Sequence, residues 1–521
     1  MGRHRLYKKK SFPIHFSGNW GVAVVFIYLD IDKQYRNTIN ELLHLYFPGY
    51  KQMDDERSAD VVLCIKVKKT FDGPEVRAEL SDNSQHLERS IKLPWLGDTD
   101  PVNETKRTVR LAILQLLETA AGETKGYWGT LTSVRPTKVV NRMLDQGWDK
   151  TKVKKVLQDH YALRHDKVQL LLDVTDSQRT ILKNSSNNCI NLYIGIPFCP
   201  SRCTYCSFPA VAVGSHAKLV EPYLTALCEE IKSTLKAVHE HGLKVRTIYI
   251  GGGTPTVLSI GQLDRLLNTI DYPLNADVEE YTVEAGRPDT LEKTKLKLLK
   301  SGGVDRISIN PQTFWGETLE KIDRRHTVEE FIKAYSSTQE LNFDIINTDL
   351  IIGLPGENID TVKYTLNRLE NLHPDNITVH TLALKKASKI QQSKDRQLVD
   401  NKEIDQMVSF ARRRIQEMGQ QPYYMYRQKN TLGQLENVGY SLPGKEGLYN
   451  ILMIEERETV IGLGVGSGSK WVLDQELHNV TYNPKDITVY MERLPLLIRE
   501  KIDKIAFLGG MIDADKETQR H

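Results

Sequence analysis

The sequence contains little cysteine, little net charge and no long apolar run. Six Cys in 521 residues exclude a small fold held together by disulfides. Lys+Arg 70 against Asp+Glu 67 leaves a formal net charge of +3, which argues against nucleic acid as the main partner. The apolar runs fall well short of the roughly 18 residues that span a bilayer. No apolar segment follows the basic N-terminus, so we predict neither a membrane span nor a secretory signal and expect a cytoplasmic protein.

The composition that is present is that of an ordinary globular chain, with 40% hydrophobic and 26% charged residues. We predict an N-terminal α+β and helical module over residues 1–180, a barrel domain over 181–390 and a C-terminal cap domain over 391–521. In the first module, strands are predicted at 22–29 and 61–67 and helices at 38–46, 105–120, 137–144 and 151–160. This module contains no motif that indicates a chemistry.

The middle region alternates strand and helix patterns. Apolar, β-branched runs occupy 192–196, 245–250, 281–283, 306–309, 343–352 and 377–382. Helical stripes lie between them at 219–238, 263–270, 291–299, 328–341 and 362–369. This alternation predicts an α/β fold with a parallel sheet of βα units, here a partial (βα)6 barrel.

The last region is expected to cover the open side of this barrel. It contains a predicted helix at 391–418, strand-like segments at 422–426 and 449–453, a glycine-rich stretch at 461–470 and a helix at 489–508.

Three of the six cysteines stand together just after the first strand of the middle region. Cys199, Cys203 and Cys206 have the spacing C-x3-C-x2-C. Thiolates so spaced can hold an iron–sulfur cluster, and three ligands leave one iron of a [4Fe–4S] cluster open. The alternatives are a zinc site or three unrelated buried cysteines. Zinc sites usually show paired C-x2-C or histidine ligands, and no fourth ligand lies nearby, so the cluster is the favoured interpretation.

Glycines and polar residues follow several of the other predicted strands. The segment 251–255 reads Gly-Gly-Gly-Thr-Pro, which either brings backbone N–H groups close to a ligand or forms a tight turn. Polar side chains at or just beyond strand ends, where βα barrels build their active sites, are Glu284, Gln312, Arg324 and Asp349. Asp349 lies in an apolar strand, so its carboxylate must be paired or used. His326, directly after Arg324 and Arg325, either faces the pocket or lies in an exposed loop, and the exposed loop is the favoured interpretation; His380 is equally compatible with the core and the pocket.

Taken together, these motifs resemble the radical SAM superfamily, and more narrowly the oxygen-independent coproporphyrinogen III oxidase family with its HemN, HemW and HemZ branches. The resemblance covers about residues 190–470, and the N-terminal module and the stretch 422–450 look most like the HemZ branch. It implies a [4Fe–4S] cluster on the three cysteines, with S-adenosylmethionine bound to the open iron. The residues that it implies as S-adenosylmethionine contacts are Tyr193, Gly252, Gly253, Thr254, Glu284, Gln312, Arg324, Asp349 and Ala383.

The resemblance also implies a reaction. One electron from the cluster cleaves the sulfonium to methionine and a 5′-deoxyadenosyl radical. In the founding reaction of the family this radical removes a hydrogen from a propionate, and loss of CO2 leaves a vinyl group, so coproporphyrinogen III becomes protoporphyrinogen IX. The implied partners are a small-molecule tetrapyrrole and an unidentified electron donor, and a monomer is expected. No catalytic residue is assigned.

This chain departs from the family pattern at three places. Gly195 stands where the decarboxylating enzymes commonly have a histidine, and Phe208 stands where they have a fourth cysteine. The haem motif of the chaperone branch, His-Asn-x-x-Tyr, reads here Glu436-Asn437-Val-Gly-Tyr440. Two alternatives therefore remain: a haem-binding or haem-trafficking protein, and a radical SAM enzyme that acts on another tetrapyrrole or an unrelated substrate.

Overall fold

The computed structural model describes residues 25–518 except 48, 83–84, 132–134, 272–277, 386–387 and 393–398. The basic start of the chain and the first residues of the strand predicted at 22–29 lie outside the described residues. The chain divides into two compact units, Met1–Leu172 and Asp173–His521. The division into three domains with boundaries at 180 and 390 stays a prediction.

The first unit combines one sheet with helices. Its strands are β1 (Phe26–Asp30), β2 (Lys51–Met53), β3 (Val61–Thr70), β4 (Gly73–Ser81) and β5 (His86–Lys92), in the spatial order β2-β1-β3-β4-β5. Its helices are α1 (Lys33–Tyr46), α2 (Pro101–Ala121), α3 (Thr137–Asp145) and α4 (Lys150–Asp159), and α5 (His165–Lys183) runs across the unit division. Apolar faces of α1, α2 and the sheet form a common core. The sequence pattern missed β4 and β5, since β5 is mostly exposed and carries charged residues on both faces.

The second unit contains the strands β6 (Cys189–Ile196), β7 (Phe198–Cys199), β8 (Val211–Ala212), β9 (Lys244–Gly252), β10 (Glu280–Glu284), β11 (Arg306–Ser308), β12 (Ile345–Ile352), β13 (Asn376–Thr381), β14 (Gln421–Arg427), β15 (Glu436–Ser441), β16 (Thr459–Leu463), β17 (Gly468–Leu473) and β18 (Glu476–Tyr482). Its helices are α6 (Val213–Glu240), α7 (Ile260–Asp271), α8 (Lys293–Ser301), α9 (Gly316–Lys321), α10 (Val328–Gln339), α11 (Ile359–Glu370), α12 (Lys389–Gln392), α13 (Asn401–Glu417), α14 (Leu448–Glu455), α15 (Ile487–Glu492) and α16 (Leu494–Thr518). Short 3₁₀ turns occur at Glu56–Ser58 in the first unit and at Pro255–Val257, Pro288–Thr290 and Leu432–Gln434 in the second.

The main sheet of the second unit has the order β14-β15-β13-β12-β11-β10-β9-β6-β16-β17-β18. Its centre consists of β6, β9, β10, β11, β12 and β13, which are parallel and lie side by side in chain order with helices between them. The predicted α/β class and the strand–helix alternation are thereby confirmed. β16 adds a further parallel strand beside β6, and β15 pairs antiparallel with β13. The segments after β13 therefore extend the sheet at both of its edges.

Three predictions for the last region were wrong in detail. The helix predicted at 391–418 is not continuous, because α12 ends at Gln392, residues 399–400 are not helical and α13 begins at Asn401. The strand-like segment at 449–453 is part of helix α14, because a short apolar run does not distinguish a buried strand from a buried helix. The helix predicted at 489–508 is two helices, α15 and α16, and α16 carries Pro495 in its first turn, where the missing N–H of proline has no helical partner to lose. None of the described helices has the length and apolar character needed to cross a membrane.

Candidate functional site

The carboxyl ends of the parallel strands bring the predicted site residues to one edge of the sheet. Gly252 at the end of β9 pairs with Ile196 of β6, and Glu284 at the end of β10 pairs with Ser308 of β11. Ser308 in turn pairs with Asn347 on β12, two residues before Asp349. Since side chains alternate along a strand, Asn347 and Asp349 face the same side. The register therefore places Gly252, Glu284 and Asp349 along the edge where βα folds bind ligands.

The cysteine loop begins at this same edge. Cys199 ends the two-residue strand β7, and the Thr254 hydroxyl donates a hydrogen bond to its Sγ over 3.5 Å. The Cys206 N–H donates to the Cys203 carbonyl at 3.2 Å, which folds the loop back on itself. Burial raises the pKa of the Cys199 thiol to about 11, and the two neighbouring cysteine thiols raise it further. The three thiols are thus close enough to interact electrostatically.

The arrangement of this loop fits an iron–sulfur cluster. In the described parts of the chain, no group of three or more His, Cys, Asp or Glu side chains is arranged to hold a metal ion. A four-iron cluster is larger than one ion and binds each thiolate through a different iron, so its ligands need not converge on a single point. A Cβ added at Gly253 would lie 2.6 Å from the Phe198 carbonyl oxygen and 3.0 Å from the Cys199 Sγ. Glycine is therefore required for the 252–254 loop to lie against the cysteine loop.

The glycine segment makes its hydrogen bonds mostly within the protein. Gly253 and Thr254 donate their N–H groups to the carbonyls of Ile196 and Phe198, both at 2.7 Å. Gly252 has a φ of 105° and donates its N–H to the Glu284 carboxyl. These three residues therefore fix the turn between the second strand and the cysteine loop, and their contacts with S-adenosylmethionine stay a prediction.

Glu284 is surrounded by protein and carries a perturbed carboxyl group. The Tyr249 hydroxyl donates a hydrogen bond of 2.5 Å to its Oε1. The pKa of Glu284 is raised to about 7, chiefly by burial and also by the Asp349 carboxylate, while this hydrogen bond and the one from Gly252 act in the opposite direction. Glu284 thus titrates near neutral pH while the neighbouring strands hold it in a fixed position.

Asp349 is paired as its position in an apolar strand requires. Asn310 and Asn347 donate their side-chain amides to its two oxygens at 2.8 and 2.9 Å. His380 Nε2 lies 3.7 Å from the Asp349 Oδ2, and its Nδ1 lies 3.3 Å from the Tyr426 hydroxyl. His380 therefore faces the site. The sequence analysis had left open whether this side chain lies in the core or in the pocket.

Gln312 and Arg324 each keep a buried polar atom without a partner among the described residues. Gln312 has a left-handed φ of 66°, and its backbone N–H donates to the Asp349 carbonyl at 3.0 Å, while its side-chain Oε1 has no partner. Arg324 donates to the Tyr205 hydroxyl at 3.1 Å and to the carbonyls of Gly286 and Asn310, whereas its Nε has no partner. Buried polar atoms are normally satisfied by a protein group, a water or a ligand, so these two atoms are candidate contacts for a bound molecule.

Aromatic side chains line the same region. Tyr193 and Tyr249 lie side by side on β6 and β9 with their ring centres 6.2 Å apart, and Tyr449 of α14 stacks on Tyr249 at 4.5 Å. Ala383, just beyond β13, forms an isolated backbone bridge with Thr431. The structure thus brings Tyr193 to the site, and the contact of Ala383 with a cofactor stays a prediction.

Some site residues were missed by the sequence analysis. His326 was expected in an exposed loop, but it is buried, and burial and Arg324 lower its pKa to about 3. Arg287 contacts Ser201 and Cys203, which lie 86 and 84 residues earlier in the chain. No local sequence pattern predicts a contact between such distant residues. The sequence showed only that Arg287, a charged residue, stands three positions after Glu284.

Comparison with known proteins identifies similar chains. Residues 193–369 match the Radical SAM superfamily. The chain is 39% identical over 476 residues to the oxygen-independent coproporphyrinogen-III oxidase-like protein HemZ of Bacillus subtilis (strain 168), which covers 89% of this chain and 93% of that protein. It is also 39% identical over 192 residues to the heme chaperone HemW of the same organism, across 36% of this chain and 49% of that protein.

Among solved structures, the coproporphyrinogen III oxidase HemN from Escherichia coli, a radical SAM enzyme, is similar with a TM-score of 0.50. The sequences are 23% identical, and the match covers 62% of this chain and 73% of that chain. At this level of identity the likeness concerns the fold.

Proposed function

We propose that this protein is an enzyme that decarboxylates a porphyrinogen. The premise is that the chain belongs to the radical SAM superfamily and to the family of oxygen-independent coproporphyrinogen III oxidase-like proteins. The reaction proposed is the oxidative decarboxylation of the coproporphyrinogen III propionates to the vinyl groups of protoporphyrinogen IX. The observation that carries the proposal is the 39% identity, across nine-tenths of the chain, to an oxygen-independent coproporphyrinogen-III oxidase-like protein, with the site residues at one sheet edge.

The superfamily uses a [4Fe–4S] cluster and S-adenosylmethionine. Cys199, Cys203 and Cys206 are the proposed cluster ligands, because their loop lies at the carboxyl edge of the sheet and their thiols interact. When bound, the reduced cluster and S-adenosylmethionine would supply radical chemistry, with a 5′-deoxyadenosyl radical as the hydrogen acceptor.

The residues of this chain have distinct proposed roles around the cofactor. Arg324 receives the carboxylate of the methionine moiety through its free Nε. Glu284 and Asp349 contact the methionine and ribose portions, and Gln312 offers its unpartnered Oε1 to the same ligand. Tyr193 borders the cluster and the cofactor, as part of the aromatic wall that keeps water from the site.

At each of the two propionates that would react, one hydrogen atom would leave the carbon next to the ring and be taken up by the radical that the bound cofactor would supply. The carboxylate leaves as CO2, one electron passes to an acceptor, and the remaining two carbons become a vinyl group. Among the described residues, the aromatic wall of Tyr193, Tyr249 and Tyr449 supplies a flat apolar surface suited to a tetrapyrrole ring.

Two of the departures from the family pattern differ in their surroundings. A Cβ added at Gly195 would be in van der Waals contact at 3.5 Å with the Tyr193 ring and with the backbone carbonyl oxygens of Leu463 and Val465, so a larger side chain there would have to displace a neighbour. Phe208 has an exposed side chain, with an exposed fraction of 61%, and its backbone N–H donates to the Cys206 thiol.

A second candidate function is haem binding, favoured by one observation. His380 faces the site and offers imidazole nitrogens to a metal of a bound porphyrin. The residues that replace the chaperone motif argue against this function, because Glu436, Asn437 and Tyr440 lie in β15, whose six residues are all buried. We therefore rank haem carriage below the radical reaction.

The test is mass spectrometry of an anaerobic reaction that contains reconstituted protein, a chemical reductant, S-adenosylmethionine and coproporphyrinogen III. We expect loss of two CO2 per porphyrinogen together with 5′-deoxyadenosine. Deoxyadenosine with unchanged porphyrinogen would retain the radical chemistry and discard this substrate. Absence of both products from protein with an intact cluster would favour haem carriage.

Matched cysteine variants separate the enzyme from the carrier. Cys199→Ala removes a proposed cluster ligand, so deoxyadenosine formation should vanish, whereas Cys228→Ala changes a buried cysteine of α6 and should retain it. In a haem titration followed by absorbance, saturable binding that survives in Cys199→Ala and is lost in His380→Ala would support the carrier function.

A further inference from the structure

A buried arginine contacts the cysteine loop from outside the C-x3-C-x2-C motif. Arg287 follows β10 and has an exposed fraction of 4%. Its Nη1 lies 3.8 Å from the Cys203 Sγ, within hydrogen-bonding range of sulfur. Nη1 and Nη2 both donate to the Ser201 hydroxyl at 3.2 Å. The guanidinium therefore holds the loop at two of its residues, on either side of Arg202.

An ion pair fixes the orientation of this guanidinium. Asp289 accepts hydrogen bonds from Arg287 Nε at 2.9 Å and from Nη2 at 2.8 Å, which is the bidentate geometry that suits a carboxylate. Because the guanidinium is planar, occupation of one edge by Asp289 directs the Nη1 group towards the loop. Asp289 thus orients Arg287 and also offsets part of its charge.

We propose that Arg287 is a positioning residue that raises the reduction potential of the cluster on Cys203, and that Asp289 moderates this effect. The proposal rests on the assignment of the cluster to the three cysteines. Reduction adds one negative charge to the cluster. A buried cation and an N–H donor beside a ligating sulfur stabilise the reduced form more than the oxidised form. The position of Arg287 therefore makes reduction easier, which the radical reaction requires.

The two members of the ion pair have opposite predicted effects. Arg287→Gln removes the positive charge and should disfavour the reduced cluster. Asp289→Asn keeps the cation and removes its counter-charge, so it should favour the reduced cluster. A residue with a purely structural role would not give shifts of opposite sign, because both substitutions break the same hydrogen bonds between positions 287 and 289.

The experiment is a redox titration of the reconstituted protein, monitored by electron paramagnetic resonance of the reduced cluster. For Arg287→Gln we expect the ratio of reduced to oxidised cluster at a fixed potential to fall about tenfold, which is about 59 mV for a one-electron couple. Asp289→Asn should raise the ratio of reduced to oxidised cluster at the same potential. Arg325→Gln removes an exposed arginine of the same unit and should leave the midpoint unchanged.

The outcomes separate this inference from the assignment of the cluster. If the unaltered protein binds iron and Cys203→Ala does not, Cys203 is established as a cluster ligand. If Cys203→Ala retains its iron, both the assignment of the cluster and the proposed role of Arg287 are overturned. Once Cys203 is established as a cluster ligand, the role of Arg287 is overturned by either of two results. One is a midpoint potential that is the same in Arg287→Gln and Asp289→Asn as in the unaltered protein, and the other is a midpoint potential that shifts in the same direction in both variants. If Arg287→Gln does not retain a cluster, Asp289→Asn alone decides, and a downward or absent shift refutes the proposal.

Discussion

The protonation state of Glu284 gives the sharpest test of the electrostatics of this site. The pKa of this carboxyl is raised from 4.5 to about 7, chiefly by burial and also by the nearby Asp349, while the Tyr249 hydroxyl and the Gly252 N–H partly oppose the rise. At about 1.4 kcal/mol per pKa unit, the rise corresponds to about 3 kcal/mol that ionisation of Glu284 removes from the stability of the folded state.

The sign of the linkage follows from this raised pKa. Between the unfolded value near 4.5 and the folded value near 7, the folded protein binds the proton more tightly, so its stability falls as the pH rises through this window. Glu284→Gln resembles the protonated carboxyl and should remove the part of this slope that Glu284 contributes, while Glu357 and Asp305, with pKa values raised to about 7 and about 6, retain theirs. We expect the variant to match the unaltered protein at about pH 4.5 and to be more stable by about 3 kcal/mol above pH 7.

Infrared difference spectroscopy measures the protonation directly. At about pH 5.5 the protonated carboxyl band should contain the contribution of Glu284 together with those of Glu357 and Asp305, whose pKa values burial raises to about 7 and about 6. The band should be lost by about pH 8.5, and in Glu284→Gln the part that belongs to Glu284 should be missing at about pH 5.5. Asp360→Asn, a change at an exposed carboxylate of α11, serves as the control and should leave the band unchanged. A band of the same intensity in Glu284→Gln as in the unaltered protein, or a Glu284 that is already ionised at about pH 5.5, would refute the reasoning.

Two further substitutions test the packing of the site and of its support. Gly253→Ala places a methyl group 3.0 Å from the Cys199 Sγ, so reconstituted protein should lose bound iron, whereas Gly261→Ala meets nothing within 4 Å and should retain it; equal iron contents would contradict the close approach. Lys501→Met leaves the fully buried Glu230 without its cation and should lower the free energy of unfolding by about 3–5 kcal/mol in urea denaturation. A loss below about 1 kcal/mol would mean that the pair behaves as an exposed one.

The positions of the central strands could be predicted because chain order equals spatial order there. In βα units of this kind, consecutive strands lie side by side, so residues at consecutive strand ends must meet. Glu284 and Asp349 were identified on that ground, and both lie at the edge formed by β9 to β13. The expectation that Asp349 must be paired is confirmed, since two amides bind its oxygens.

The contacts that the sequence did not reveal join distant segments. Arg287 meets Cys203 across 84 residues, and Tyr449 reaches Tyr249 from a helix beyond the parallel strands. Such contacts depend on the path of the chain between the elements, and hydrophobic periodicity carries no information about that path. His326 shows the same limit, because it is buried although the residues directly before it, Arg324 and Arg325, are charged.

Asn310 explains how basic and acidic groups coexist at this site without neutralising each other. Its backbone carbonyl accepts a hydrogen bond from Arg324, while its side-chain amide donates to Asp349 at 2.8 Å. Arg324 and Asp349 are thus each held by a neutral group of the same residue, and neither needs the other as a counter-ion. A zwitterionic ligand that carries a carboxylate and a cationic centre meets both charges already fixed in place. The proposed binding of S-adenosylmethionine requires this separation, which an Arg–Asp ion pair would have abolished.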